Sequence, residues 1–472
     1  MKNNLFKFTI IFIITAIMFL PWLSSYFVTD TYNIMNLGYE DYTTQYWLKD
    51  GRVITALFGL LLCQINANIE IVVIISTILM ILISTISVLY IANKVKKPAT
   101  FLVLVFAYYT IVNFMYIDMV KFIEAPIMST GVLLCIISAS YLVNIARKRQ
   151  YLLLLVLLLM STLCYQGTII VFAISTLLFA YLKEKDILKN IILAVAFSGI
   201  VLFINLLIVS NISTIIGIEQ TRDGSIKNIL SNIQYLPTVA YATLIDSCYV
   251  FPRYAFVLIM GALVTAVGLY SYKNNDYTAL KIALITTAIA ILAAFVFPLI
   301  TLSSYDAGRM KLSIGMLVGI IYLLLYAKTD IFKQTTIFTK MLLAIFIIYA
   351  AMTTVSYIIL INEQKNVNKY EKQQVAEIAT YMEQYEQANN TKIKYIQKVY
   401  NVNHEKAKYP DTKFRTIDAL KGDCSAIGAV NYYTNRNLQP IYKIKNAEEH
   451  LNSAQQEYTC IDDVLVITIR IV

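Results

Sequence analysis

Histidine is nearly absent from this 472-residue chain: there are two, His404 and His450, and both lie in its polar C-terminal stretch. The apolar remainder has no imidazole to serve as general base or metal ligand, so acid–base chemistry there falls to carboxylates. Charge is scarce as well. Only 14% of residues are charged against 58% hydrophobic, and mean hydropathy is +0.64, which excludes a soluble globular protein and indicates a multi-span α-helical membrane protein. The six cysteines show no metal-ligand spacing. Cys63, Cys135 and Cys164 sit in or beside apolar segments as small packing residues, whereas Cys424 and Cys460 are the only two in the polar tail. A Walker loop, a dinucleotide fingerprint, a nucleophile elbow and a zinc-protease helix are all missing, so the energy for a reaction must come from a gradient or an already activated substrate. Internal repeats and low-complexity segments are missing too.

What is present is a series of apolar runs. Eleven are expected to span, at residues 5–26, 71–91, 100–116, 127–145, 151–165, 168–182, 191–210, 254–272, 280–302, 312–326 and 338–361. The first lacks a small-residue cleavage site and should be retained as a span. Residues 53–65 are apolar but too short to cross comfortably. With that segment left out, sixteen Lys and Arg fall in the inner loops, and counting it as a span would move fourteen of them outside, against the positive-inside bias. The N-terminus is therefore placed in the cytoplasm. Outside are placed the 27–69 loop, the loops around 116–126, 164–167, 211–252 and 303–311, and the tail. Short basic inner loops suit anionic lipid, and the net charge of +10 is an orientation signal that calls for no nucleic-acid partner. Composition rich in Ile, Lys, Asn and Tyr suggests an AT-rich bacterial genome and hence the bacterial cytoplasmic membrane.

Two domains follow: a transmembrane one over 1–362, and an extracytoplasmic α/β domain over 363–472. Residues 363–387 should continue the last span as helix. Short strands are expected at 392–402 and 440–444, a helix at 426–433, and a buried terminal strand at 463–472. The stretch 29–65 gathers Asp30, Glu40, Asp41 and Asp50 with Lys49 and Arg52 between the first span and the short apolar segment. A carboxylate-rich loop at the membrane surface reads either as a reaction site or as acids that keep a loop in water.

The order of a cytoplasmic N-terminus, one span, an outer loop with Asp30, then Trp47 and Gly51-Arg52 before an apolar segment, the Tyr165-Gln166-Gly167 turn and a polar outer tail resembles the serotype-converting Gtr-type glucosyltransferases of the GT-C superfamily. The likeness covers the architecture of the whole chain through short motifs. Thr31 stands where such proteins often carry a second acid. The resemblance implies transfer of a hexosyl group, glucose in that family, from a polyprenyl-phosphate donor to a surface polysaccharide or teichoic-acid-type acceptor outside the membrane. It calls for no cofactor beyond the lipid-linked donor, and metal dependence stays open.

For an inverting transfer one carboxylate deprotonates the acceptor hydroxyl while cations stabilise the departing phosphate. Asp30 is the first candidate base, followed by Asp41 and Glu40; the other reading of Asp30 is an N-cap on a juxtamembrane helix. Arg309 is the first candidate for the phosphate, followed by Arg52, Arg253 and Lys311, with interfacial anchoring as the alternative. Tyr165 and Gln166 are candidates for sugar hydroxyls or for the aromatic belt. Asp118 and Asp306 are candidate acceptor contacts, although Asp118 and Glu124 also suit ion pairing with Lys121. In the tail, Arg436 and its aromatic and amide neighbours suit a glycan or a packed element. Cys424 and Cys460 are expected to bridge if they lie outside the cytoplasm. A flippase or transporter, or a polymerase of lipid-linked saccharides, is the competing function.

Overall fold

The computed structural model describes residues 2–95, 100–217, 228–300, 307–333, 336–400, 419–421, 425–441, 444, 447 and 458–469. The chain divides into two compact units. One comprises Met1–Leu23, Thr44–Phe58 and Ile74–Ile358, the other Ser24–Thr43, Gly59–Val73 and Ile359–Val472.

Among the described residues eight helices are long and apolar enough to cross a membrane: Leu5–Trp22, Ile69–Lys94, Ala125–Leu142, Gln166–Lys183, Ile187–Ile212, Ala255–Asn274, Thr278–Ile300 and Ile337–Asn389. Leu188, Val195 and Phe203 point outward from one of them, and Leu258 and Leu292 from two others. Apolar surface of this extent on helices this long is covered by lipid, and the protein is a multi-pass helical membrane protein. The other three expected spans form shorter helices, Phe101–Ile111, Gln150–Cys164 and Leu312–Lys328.

The first of these stops five residues before its expected end for a local reason. Asn113 Oδ1 accepts from the backbone N–H of Met115 (3.0 Å) and Tyr116 (3.1 Å), so the side chain takes over the amides that a continuing helix would use. Leu312–Lys328 is buried on every side through Leu325, as a helix without a polar face must be if it is interior. Its Gly315 and Gly319 let it close on Phe101–Ile111: a Cβ on Gly319 would lie 2.6 Å from Thr110 N, and one on Gly315 would overlap Asn113. This spacing of small residues is the device by which membrane helices approach without a hydrophobic driving force.

The expected outer loop at 27–69 is largely helical instead, with an α-helix at Thr29–Tyr42, a π-helical turn at Thr43–Leu48 and an α-helix at Val53–Gln64. Thr29–Tyr42 is bent at Gly38, which sits at φ 79° and ψ 166°. Val28 is its N-cap, so Asp30 lies in the first turn and does not cap it.

In the second unit a four-stranded sheet has the order β2-β1-β4-β3, with β1 Tyr395–Tyr400, β2 Gln439–Pro440, β3 Tyr458–Ile461 and β4 Val464–Ile469. β1 runs parallel to β2 and β4, and β3 pairs antiparallel with β4 across the two-residue turn Asp462-Asp463. β3 was not expected from the sequence, because four residues leave too short a window for alternation to show. Both sheet faces are covered. Leu465 and Ile467 pack with Val375, Ile378, Met382 and the Ala426–Thr434 helix, while Val464 and Val466 pack with Val399 and Ala447, as period-two alternation requires. The helix Ile337–Asn389 is unbroken for 53 residues, or about 80 Å at 1.5 Å per residue.

Candidate functional site

Six charged side chains of the first unit, Asp50, Arg52, Asp118, Lys121, Glu124 and Arg309, are joined into one cluster through Tyr165. Asp50 and Arg52 lie in the turn before Val53–Gln64, where Gly51 adopts φ +76°. A Cβ there would come within 2.6 Å of Gln166 Nε2 and 2.7 Å of Val209 Cγ2, so both the backbone angle and the close approach demand glycine. Gln166 Nε2 donates to Asp50 O at 2.6 Å, and Thr55 Oγ1 donates to Cys164 O at 2.9 Å, which ties this turn to the Tyr165-Gln166-Gly167 turn.

Arg52 is buried. Its Nη2 meets Asp50 Oδ2 at 3.0 Å, its Nη1 meets Glu124 Oε1 at 3.3 Å, and its guanidinium stacks over the Tyr165 ring at 4.9 Å. Its Nε–H has no hydrogen-bond partner among the described residues. Burial is the largest influence on this guanidinium and lowers its pKa, but Asp50, Tyr165 and Glu124 together reverse that and leave it raised. Glu124 caps the start of the helix Ala125–Leu142, where a negative charge faces the positive end of the dipole.

Arg309 occupies the 3₁₀ turn Gly308–Met310. Its Nη1 and backbone N–H both reach Asp118 Oδ2, at 3.0 and 3.2 Å, its Nε–H donates to Tyr165 Oη at 3.1 Å, and its guanidinium lies 4.5 Å from the Phe122 ring centroid. Asp118 also holds Lys121 Nζ at 2.8 Å. Burial works to raise the Asp118 pKa, but Lys121 and Arg309 outweigh it and hold the carboxyl well below the ordinary range. Tyr165 thus joins the two arginines, carrying Arg52 on its face and Arg309 on its oxygen. It donates its own proton to Met310 Sδ at 3.0 Å.

The remaining candidates fall elsewhere. Lys311 Nζ is buried and donates to Ala294 O at 3.0 Å. Pro298, four residues on in the same helix, has no N–H to offer that carbonyl, and the lysine takes its place. Arg253 is exposed, paired with Asp246 Oδ1 at 3.0 Å and with the Tyr241 hydroxyl. Asp306 lies outside the described residues. Asp30, Glu40 and Asp41 belong to the second unit; Asp30 is half-buried and Glu40 and Asp41 are exposed. The carboxylates of Asp30 and Asp41 have no hydrogen bond or ion pair among the described residues.

In the second unit Arg436 forms a fork pair with Glu386 at 2.7 and 3.1 Å and acts as a packing element of the tail. Cys424 lies outside the described residues, and so does its expected bridge; Cys460 is a free thiol on β3, pushed up to about 12 by burial. Glu371 is fully buried, accepting from Tyr32 Oη (2.8 Å), Asn368 Nδ2 (2.8 Å) and Ala419 N (2.6 Å), and Tyr32 Oη also meets Tyr433 Oη at 2.7 Å. Sequence reasoning missed this network. The alternation of Tyr and Glu along residues 370–387 marks a solvated helix as readily as a buried acid.

Among the described residues no group of three or more His, Cys, Asp or Glu is placed to hold a metal ion. What the first-unit cluster offers chemically is a pair of guanidinium forks held apart by a phenol, with three carboxylates balancing the charge of the two arginines and Lys121. No protein-family model, curated protein or solved structure matches the chain.

Proposed function

We propose that this chain is a membrane glycosyltransferase of the GT-C type, with eleven spans, which moves a hexose from a polyprenyl-phosphate donor to a surface glycan on the outer face of the bacterial cytoplasmic membrane. Glucose as the hexose rests on the family resemblance. The observation that carries the reading is the Arg52–Tyr165–Arg309 arrangement, in which the buried Arg52 Nε–H lacks a partner among the described residues. A buried donor without a partner calls for an acceptor oxygen, and guanidinium forks match phosphate oxygens in pairs. In this reading Arg52 and Arg309 stabilise charge on the phosphate as the glycosidic bond to it breaks, and Gln166 and Tyr165 order the turn between them.

Asp118 is held ionised by two cations and is a poor proton acceptor. The base is assigned to Asp30, with Asp41 and Glu40 next, because Asp30 is half-buried and its carboxylate has no partner among the described residues. Reconstitution with synthetic polyprenyl-phosphate glucose and isolated surface glycan tests the proposal. Arg309→Gln should slow transfer by roughly 10²- to 10³-fold, and Asp30→Asn by roughly 10²- to 10⁴-fold. No transfer by the native chain, or native rates in both variants, would overturn it.

A further inference from the structure

The first unit carries a second set of cations, at the end of the helix Gln150–Cys164 away from Tyr165. At 1.5 Å per residue the two ends of this 15-residue helix are roughly 22 Å apart, so these cations stand clear of the Arg52 and Arg309 cluster. A cleft of about 360 Å³ opens there, within the roughly 300–1,000 Å³ of small-molecule sites. Tyr141 lines it from the end of the helix Ala125–Leu142, Arg147 and Arg149 from the connecting turn, and Gln150 and Leu153 from the first turn of the next helix.

Every polar side chain on this lining can donate, and that capacity is unspent. The Arg147 and Arg149 guanidiniums are exposed, and they and the Tyr141 hydroxyl have no hydrogen bond or ion pair among the described residues. Gln150 Oε1 accepts from the backbone N–H groups of Ala146 and Arg147, each at 2.8 Å, which fixes the turn under Arg147 and leaves the amide N–H groups of Gln150 to donate. No Asp or Glu occurs in the chain between Glu124 and Glu184, so the run Arg147-Lys148-Arg149 has no acid on its own or the flanking helices. Leu153, Val156 and Met160 are exposed and lie on one helix face, and they form an apolar stripe that leads from the cleft along the helix.

We infer that this cleft binds the phosphate group of an anionic membrane lipid. Two guanidinium forks match phosphate oxygens in pairs, and Tyr141 and Gln150 supply neutral donors beside them. No carboxylate on the lining opposes an anion. The stripe from Leu153 gives an acyl chain a surface to lie on, whereas a free phosphate ion gains nothing from it. General attraction of a basic loop to an anionic bilayer would act on Lys148 as much as on its neighbours. A site in this cleft instead uses the two arginines and not Lys148, which does not line it. The inference stands independently of the transfer reaction.

Native mass spectrometry of the full chain in detergent tests it, with phosphatidic acid and phosphatidylcholine of matched acyl chains as the titrated lipids and glycerol 3-phosphate as soluble competitor. Phosphatidic acid should bind more tightly than phosphatidylcholine. Arg147→Gln and Arg149→Gln, both at exposed side chains, should each weaken its binding by about tenfold, the effect of losing one hydrogen bond to a charged group. Lys148→Gln, which removes the same charge from the same turn, should have a much smaller effect. Arg309→Gln should leave binding unchanged, and glycerol 3-phosphate should not displace the lipid. The inference fails if phosphatidylcholine binds as tightly as phosphatidic acid, if the Arg147→Gln/Arg149→Gln variant keeps native affinity, or if Lys148→Gln costs as much as either arginine. It fails equally if binding depends on Arg309, or if glycerol 3-phosphate displaces the lipid, which would make a free phosphate the ligand.

Discussion

Replacing Asp118 by Asn removes one negative charge from between two cations while preserving side-chain volume. Breaking a buried pair by deleting one partner costs roughly 3–5 kcal/mol, because the other charge is stranded. Arg309 is the stranded partner here, its side chain only 11% exposed, whereas Lys121 at 22% can turn toward solvent and contributes at the level of a surface pair. The low end, about 3 kcal/mol, is therefore expected. In a chain of this size that lowers Tm by about 3 °C, read by intrinsic fluorescence in detergent. The double variant Asp118→Asn/Arg309→Gln should be less destabilised than the sum of the single variants, since each removes the same contact.

The pH dependence has a definite sign. A carboxyl whose folded pKa is depressed contributes stability above its unfolded value, near 3.9, and loses it as pH falls through the folded value. The deficit of Asp118→Asn should therefore be constant from pH 5 to 8. A deficit below about 1 kcal/mol, additive single variants, or a deficit that changes across that window would refute the account.

Other expectations follow from single contacts. Gly51→Ala must adopt a left-handed backbone and displace Gln166 and Val209, so it should cost about 2 kcal/mol or more and reduce transfer activity. Gly261→Ala, with open space around it, should be neutral in the same thermal assay. Lys311→Met strands the Ala294 carbonyl and should destabilise by about 1–3 kcal/mol. In a Pro298→Ala background the restored N–H serves that carbonyl, and the penalty should shrink; an undiminished penalty in the double-variant cycle would show that the lysine has a different role. In the tail, Arg436 is the first cause of a lowered Glu386 pKa, so the pair's contribution persists above the ordinary Glu range near 4.3 and fades below it. Protection factors of β1 amides, corrected for the intrinsic pH dependence of exchange, should fall on acidification in the native protein, and this acid step should be smaller in Glu386→Gln.

Helices were legible where apolar residues run long. Each of the eleven expected segments contains a helix among the described residues, because a backbone in lipid has few other ways to satisfy itself. Their ends were less legible: Asn113 stops a helix inside an apolar run through hydrogen bonds that hydropathy does not register. The polar stretch after Val28 was expected as loop because its acids dominate its composition, yet Tyr32 and Ile34 are buried and the segment winds into helix.

The site was visible as an inventory of residue types but not as pairings. Arg309 meets Asp118 across 191 positions and Arg52 meets Glu124 across 72, and one sequence offers no signal for which distant charges meet. Nothing about Met310 or Phe122 as apolar neighbours marked them as partners of Tyr165 and Arg309. The Lys311–Ala294 contact was foreshadowed only by Pro298, which announces that a carbonyl will need another donor.

The helix Leu312–Lys328 offers lipid no face of its own through Leu325. Lipid would accept so apolar a segment on any side, so its place and depth are set by close packing, with Thr110 and Asn113 seated against its glycines. The turn bearing Arg309 is joined directly to its N-terminal end. Any slide of that helix along its axis would carry Arg309 with it, so the glycine contacts that seat the helix also set the depth at which the cation is held.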